Sequence, residues 1–185
     1  MSNAIIEILR QRVPTGPAGF EGLVAQLLEK LTGRRFYLAR SGSQAGRDIS
    51  SDFQNCSVIA VECKRYGKNT ELDRRRLLGE LVQASQDIPD LDLWVLVASR
   101  SVPSQVVTAL AAEAYKQGIE FLSISADDGS PSSLAALCGH GSDVVLQYVG
   151  SELSLAEQQE LRRQLGEIIA NSGNSPALES EKELA

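Results

Sequence analysis

The sequence predicts an α/β fold, a mixed central β-sheet flanked by helices, and three observations lead there. Apolar segments of strand length at residues 58–64, 93–98 and 119–124 are separated by two stretches of helical periodicity. Strand, helix and strand in alternation imply crossover connections and parallel pairing. Ahead of them, Arg47-Asp48-Ile49-Ser50-Ser51-Asp52-Phe53 alternates polar with apolar, as a half-buried strand does. The polar triplet Gln54-Asn55-Cys56 that follows has the length of a hairpin loop, so this pair is antiparallel.

Taken in order, Phe20, Leu23, Val24, Leu27, Leu28 and Leu31 recur at helical spacing after a loop containing Pro14, Gly16, Pro17 and Gly19, and Gly33 stops the run. Phe36-Tyr37-Leu38-Ala39 reads as a first strand, and residues 41–46 as a flexible loop. The hairpin comes next. A turn centred on Asn55 pairs position 53 with 57 and 51 with 59, which sets Asp48 opposite Glu62. Leu77, Leu78, Leu81, Val82, Ser85 and Ile88 form a second amphipathic helix closed by Pro89. Residues 93–98 are continuously apolar, the pattern of a central strand covered on both faces. Pro103 opens a helix (Val106, Val107, Leu110, Ala114) that ends at Gly118. Residues 127–141 are loop-rich with one short helix, 144–149 suit an edge strand, and 154–170 form a last helix. From Asn171 the composition is that of a linker or tail. We expect a domain over residues 1–150 and a C-terminal helix with a linker-like tail over 151–185.

At 185 residues the chain is long enough for a sizeable core. No run approaches the ~20 apolar residues of a membrane span, and the N-terminus has no signal-peptide core. Three widely spaced cysteines in apolar or Gly-rich surroundings suit reduced thiols and a cytoplasmic location. The net charge of −6 argues against a generic basic nucleic-acid binder, but charge is unevenly spread. Residues 30–76 hold eleven Lys/Arg against five Asp/Glu, whereas residues 91–185 hold five against thirteen. The basic segment is the footprint expected of a site that receives a polyanion.

That segment surrounds an unusual strand. In Val58-Ile59-Ala60-Val61-Glu62-Cys63-Lys64, alternation sends Val58, Ala60, Glu62 and Lys64 to one face and Ile59, Val61 and Cys63 to the other. Burying a carboxylate and an ammonium is costly unless something offsets the desolvation. Opposed strand residues have Cβ atoms about 4.5–5.5 Å apart, where like charges repel. Asp48 and Glu62 so placed would oppose folding unless a divalent cation joined them, and their hard oxygens suit Mg²⁺. No His/Cys cluster of the kind zinc prefers is present.

A helix carrying Glu21, the Gly46-Arg47-Asp48-Ile49 turn, and an apolar strand ending Glu62-Cys63-Lys64-Arg65-Tyr66 before a helix together resemble the PD-(D/E)XK nuclease superfamily. Within it they look like the Mrr-like restriction endonucleases, over roughly residues 17–125. The resemblance implies a restriction-endonuclease-like sheet and Mg²⁺-dependent hydrolysis of DNA phosphodiesters, with Mn²⁺ as a substitute. It implies Asp48 and Glu62 as metal ligands aided by the backbone carbonyl of Cys63, and Lys64 as the group that orients and helps deprotonate the attacking water. Glu21 matches the helical acid that joins the metal shell, and Gln83 a polar position near the site. The chain has Gly-Arg-Asp where the superfamily name has Pro-Asp, a variation that keeps the ligand. Domains of this kind serve as effectors in restriction or anti-phage defence, fused to a sensor or NTPase module. Double-strand cutting further implies a homodimer or higher oligomer. A junction-resolving or repair nuclease, and a non-catalytic DNA-binding or assembly module, are the alternatives.

Arg65, Tyr66 and Lys68 follow the motif and are expected to meet the DNA backbone. Arg47 has two readings, a phosphate contact or an ion pair with Asp52. Arg74, Arg75 and Arg76 open a helix, where positive charge is mildly unfavourable, and have two readings, DNA contacts, which this oddity favours, or a solvated charge run. His140, the only histidine, and Cys138 lack further ligand partners and read as structural. The Gly42–Gly46 segment lacks the Gly-Lys-Ser/Thr ending of a P-loop.

Overall fold

The structure is a computed structural model that describes residues 3–39, 46–51, 57–67, 70–127 and 131–172. A five-stranded sheet has the order β1 (Phe36–Leu38), β2 (Ile49–Ser51), β3 (Val58–Lys64), β4 (Leu91–Ala98) and β5 (Glu120–Ser125). The β1–β2 and β2–β3 pairs are antiparallel, and β3, β4 and β5 are parallel. The two parallel crossovers are α3 (Arg74–Asp87) and α4 (Ser104–Gln117). The mixed sheet flanked by helices is the architecture the sequence predicts. Among the described residues no helix is long and apolar enough to cross a membrane.

Each face of the sheet has its own core. Val58, Ala60, Trp94 and Leu96 pack with Leu77, Leu81 and Ala84 of α3 and with Val106, Leu110 and Ala114 of α4. On the other face Ile49, Val61, Cys63, Val95 and Val97 meet a thicker helical layer. That layer contains α1 (Asn3–Gln11), α2 (Phe20–Thr32), α5 (Ser133–His140), α6 (Ser142–Val149) and α7 (Leu155–Ser172). Strand alternation thus assigns Glu62 and Lys64 to the α3 side, as their spacing requires.

Helix α2 ends where Gly33 takes φ 69° and donates its N–H to the Glu29 carbonyl, the left-handed cap that glycine adopts without strain. Its apolar stripe is buried from Phe20 to Leu28, but Leu31 is exposed. Helix α3 begins at Asp73, whose carboxylate accepts the backbone N–H groups of Arg75 and Arg76.

Two elements differ from the sequence reading. Residues 144–149, expected as an edge strand, lie within helix α6. Val145 and Val149, four apart, are both buried against the helical layer, and this one-sided stripe outweighs the strand preference of the valines. Helix α1 was not anticipated at all; Ile5, Ile6 and Leu9 are buried there. Helix α7 adds Leu161, Leu165 and Ile168 to the same core. The hairpin loop at 54–56, the 41–45 segment and the tail beyond 172 lie outside the described residues.

Candidate active site

The β2–β3 pairing sets Ile49 against Val61 and Ser50 against Ala60, the register expected from a turn centred on Asn55. One step further along the same ladder, the Asp48 N–H donates to the Val61 carbonyl at 2.8 Å, and Asp48 stands beside Glu62. The glycine before it is required by packing. Gly46 has φ 69°, its carbonyl accepts the Trp94 indole N–H at 3.1 Å, and a Cβ there would fall on the Glu80 carbonyl of α3. The Gly-Arg-Asp turn is therefore pressed directly onto α3, and this delivers the Asp48 carboxylate to the sheet end.

Asp48 and Glu62 are 5% and 4% exposed. Asp48 Oδ2 accepts the backbone N–H of Cys63 at 2.7 Å. Burial raises the Asp48 pKa, against the Cys63 hydrogen bond and the Lys64 charge, which lower it. Glu62 is pushed up to about 8, first by burial and then by the Asp48 charge, while Lys64 pulls the other way. Two acids this close and this dry disfavour simultaneous ionisation.

Lys64 answers them. Its ammonium bonds the Glu62 carboxylate and lies 3.0 Å from the carboxylate of Glu80. These anions raise the lysine pKa although burial alone would lower it. Glu80 Oε1 also accepts from Arg76 Nε at 2.9 Å, and its buried Oε2 lies 3.0 Å from the Lys64 ammonium. It was missed in the sequence, where only the neighbouring stripe of Leu77, Leu81 and Ala84 draws notice. Gln83, proposed for this position, is exposed one turn away and makes no hydrogen bond to a site residue among the described residues.

Glu21 approaches from the other layer. It is buried in the first turn of α2, with its carboxylate accepting the Gly16 N–H at 3.1 Å. Burial raises its pKa, and it senses the charges of Asp48 and Lys64. The Cys63 side chain faces the apolar core, and burial holds its thiol well above the usual range, so it offers no thiolate ligand. Among the described residues no group of three or more His, Cys, Asp or Glu side chains converges as a metal-binding cluster.

The residues after the motif divide. Tyr66 exchanges backbone hydrogen bonds with the Ser99 hydroxyl, and its phenol senses Lys64, Glu80, Arg76 and Glu62, so it borders the site. Arg65 is half-buried and donates Nη1 to the Arg10 carbonyl at the end of α1 at 3.0 Å, a tie within the fold. Arg10 Nε in turn donates to the Ser99 carbonyl. Arg47 is half-buried, whereas Arg74, Arg75 and Arg76 are exposed. Lys68, and the Asp52 offered as partner to Arg47, lie outside the described residues. No family model matches the chain, and no curated protein matches its sequence.

Proposed function

We propose that the chain is a Mg²⁺-dependent deoxyribonuclease of the PD-(D/E)XK kind, Mrr-like in its motif, that hydrolyses phosphodiester bonds of duplex DNA. One observation carries the reading: two buried carboxylates, Asp48 and Glu62, abut at a strand end with the Lys64 ammonium beside them. A scaffold gains nothing from a repelling acid pair, whereas a hard divalent cation takes such oxygens as ligands.

The donor set fits that cation. All candidate side-chain ligands are oxygens, and both acids are raised by burial. Asp48 and Glu62 would hold the ion with the Cys63 carbonyl, and Glu21, which does not converge with them in the described structure, would have to shift to join the shell. When bound, the ion supplies charge neutralisation at the phosphate and a more acidic water. The chain's own residues then do the rest. Lys64 donates hydrogen bonds toward the phosphate oxygens and holds the nucleophilic water in line. The Cys63 N–H fixes one Asp48 oxygen and so orients the carboxylate beside Glu62. Tyr66 borders the site as a neutral hydrogen-bond donor, its pKa raised by burial. The role in the cell that suits this chemistry is an effector of restriction or anti-phage defence, acting as a dimer or with a sensor module.

A second reading follows from Lys64 itself. Held between Glu62 and Glu80, it balances the acids without any added cation, the arrangement a non-catalytic DNA-binding module would keep. Plasmid DNA incubated with Mg²⁺ and with EDTA separates the two. The nuclease nicks or linearises the plasmid only with the metal, and Asp48→Asn, Glu62→Gln and Lys64→Ala each lower the rate by at least about a hundredfold. Full cleavage by Glu62→Gln would reject the assigned site.

A further inference from the structure

A cleft of about 710 Å³ at the start of α3 is lined by Arg74, Arg75, Arg100, Glu71, Asp73 and Gln105 among others. Its position follows from the chain path. β4 ends at Ala98 beside Lys64, and Arg100 lies two residues beyond. Arg74 and Arg75 open α3, the helix that carries Glu80 into the acid cluster. One sheet edge therefore holds both the acid cluster and the arginines, the crevice beyond the carboxyl ends of parallel strands where α/β folds bind ligands.

Charge in the cleft is net positive, three arginines against the two carboxylates of Glu71 and Asp73. None of Arg74, Arg75 and Arg100 enters an ion pair with a carboxylate among the described residues, whereas the next arginine, Arg76, does. The Asp73 carboxylate is already engaged by the N–H groups of Arg75 and Arg76. Arg100 is half-buried, and its guanidinium is held by the Thr70 carbonyl and, through Nε at 3.3 Å, by the Ser101 carbonyl. Two neutral acceptors orient this cation without cancelling it. Guanidinium groups that outnumber the carboxylates of a concavity and pair with none of them repel one another, and a phosphate matches their planar donors.

We infer that this cleft is a phosphate subsite, with Arg100 as its fixed contact and Arg74 and Arg75 as its mobile ones. Its occupant is a backbone phosphodiester of the same DNA strand whose phosphate, a few nucleotides along, reaches Asp48 and Glu62. The inference rests on the nuclease reading for the identity of that strand. Spacing along α3 sets the step between the two sites. Six residues from Arg74 to Glu80 rise about 9 Å, which at about 3.4 Å per nucleotide is two to three nucleotides.

The test is duplex binding by the full chain in EDTA, where no hydrolysis intervenes, across a salt series. Arg100→Gln should weaken binding about three- to tenfold at low salt and flatten the slope of log K against log salt by about 1. Because Arg100 also anchors Thr70 and Ser101, Arg74→Gln/Arg75→Gln provides the parallel variant at exposed side chains, and its slope should fall by about 1 to 2. Arg162→Gln, on exposed α7 surface, should change neither quantity. Unchanged affinity and slope in both cleft variants would overturn the subsite, as would wild type that does not bind DNA. A loss seen only with 5′-phosphorylated and not 5′-hydroxyl ends would overturn the diester in favour of a terminal monoester. Plasmid cleavage in Mg²⁺ is scored separately: no cutting with salt-sensitive, Arg100-dependent binding removes the nuclease reading and leaves the phosphate subsite standing.

Discussion

Glu62 is an acid whose surroundings oppose its charge, and the consequence for stability has a definite sign. Its folded pKa of about 8 lies above the ordinary value of 4.5. Folding therefore takes up a proton between those values, and stability from this group is full below about pH 4.5 and declines until the pH passes about 8. Asp48, also raised, acts in the same direction. In EDTA the melting temperature should fall from pH 5 to pH 8, by an amount worth on the order of a few kcal/mol. Glu62→Gln should flatten that fall; a wild-type melting temperature that climbs over this range would contradict the buried acid pair. At Glu80 the expectation differs. Glu80→Ala releases Lys64 and Arg76 together and should cut the cleavage rate about tenfold or more while DNA affinity holds or rises, since an anion beside the phosphate path is gone. A variant that cleaves at the wild-type rate would make Glu80 a bystander.

At the scale of elements, the Gly-Arg-Asp turn and α3 behave as one piece. Gly46 sits at positive φ with α3 backbone where a side chain would go, so Gly46→Ala should cost about 2–4 kcal/mol and displace Asp48. Thermal unfolding measures the first, and loss of cleavage in a variant that still folds measures the second. Helix α1 works similarly from the far side of the sheet. Through Arg10 it holds both Ser99 and Arg65, and Ser99 holds Tyr66, so an N-terminal helix braces the segments that follow the two central strands. Nothing in the Ile5-Ile6-Leu9 pattern announced that task, because it depends on backbone carbonyls contributed by distant strand ends.

For the whole molecule, the two faces of the sheet are unequally loaded. The α3–α4 face forms the floor of the acid site and the basic cleft, while the opposite face carries the larger core. Helix α7, which composition places beside a linker-like tail, belongs to that larger core through Leu161, Leu165 and Ile168. Leu165→Ala should cost about 2–5 kcal/mol in chemical denaturation with little effect on the site. A change within experimental error would mean that the helix is only loosely docked.

The acid pair was legible in the sequence because it depends on local rules. A strand alternates its side chains, a short hairpin sets its own register, and together these put Asp48 beside Glu62 and Lys64 on the same face. The helix–strand order was legible for the same reason, since crossover connections follow from spacing along the chain. Glu80 and the helical state of residues 142–149 were not, nor was the bracing by α1. Each is decided by a surface that exists only after distant elements pack: the α3 flank against the Gly46 turn, the α2 and α7 surfaces beneath Val145 and Val149, and the strand ends beneath Arg10. Short-range periodicity carries no record of such surfaces, so burial rather than propensity made those choices.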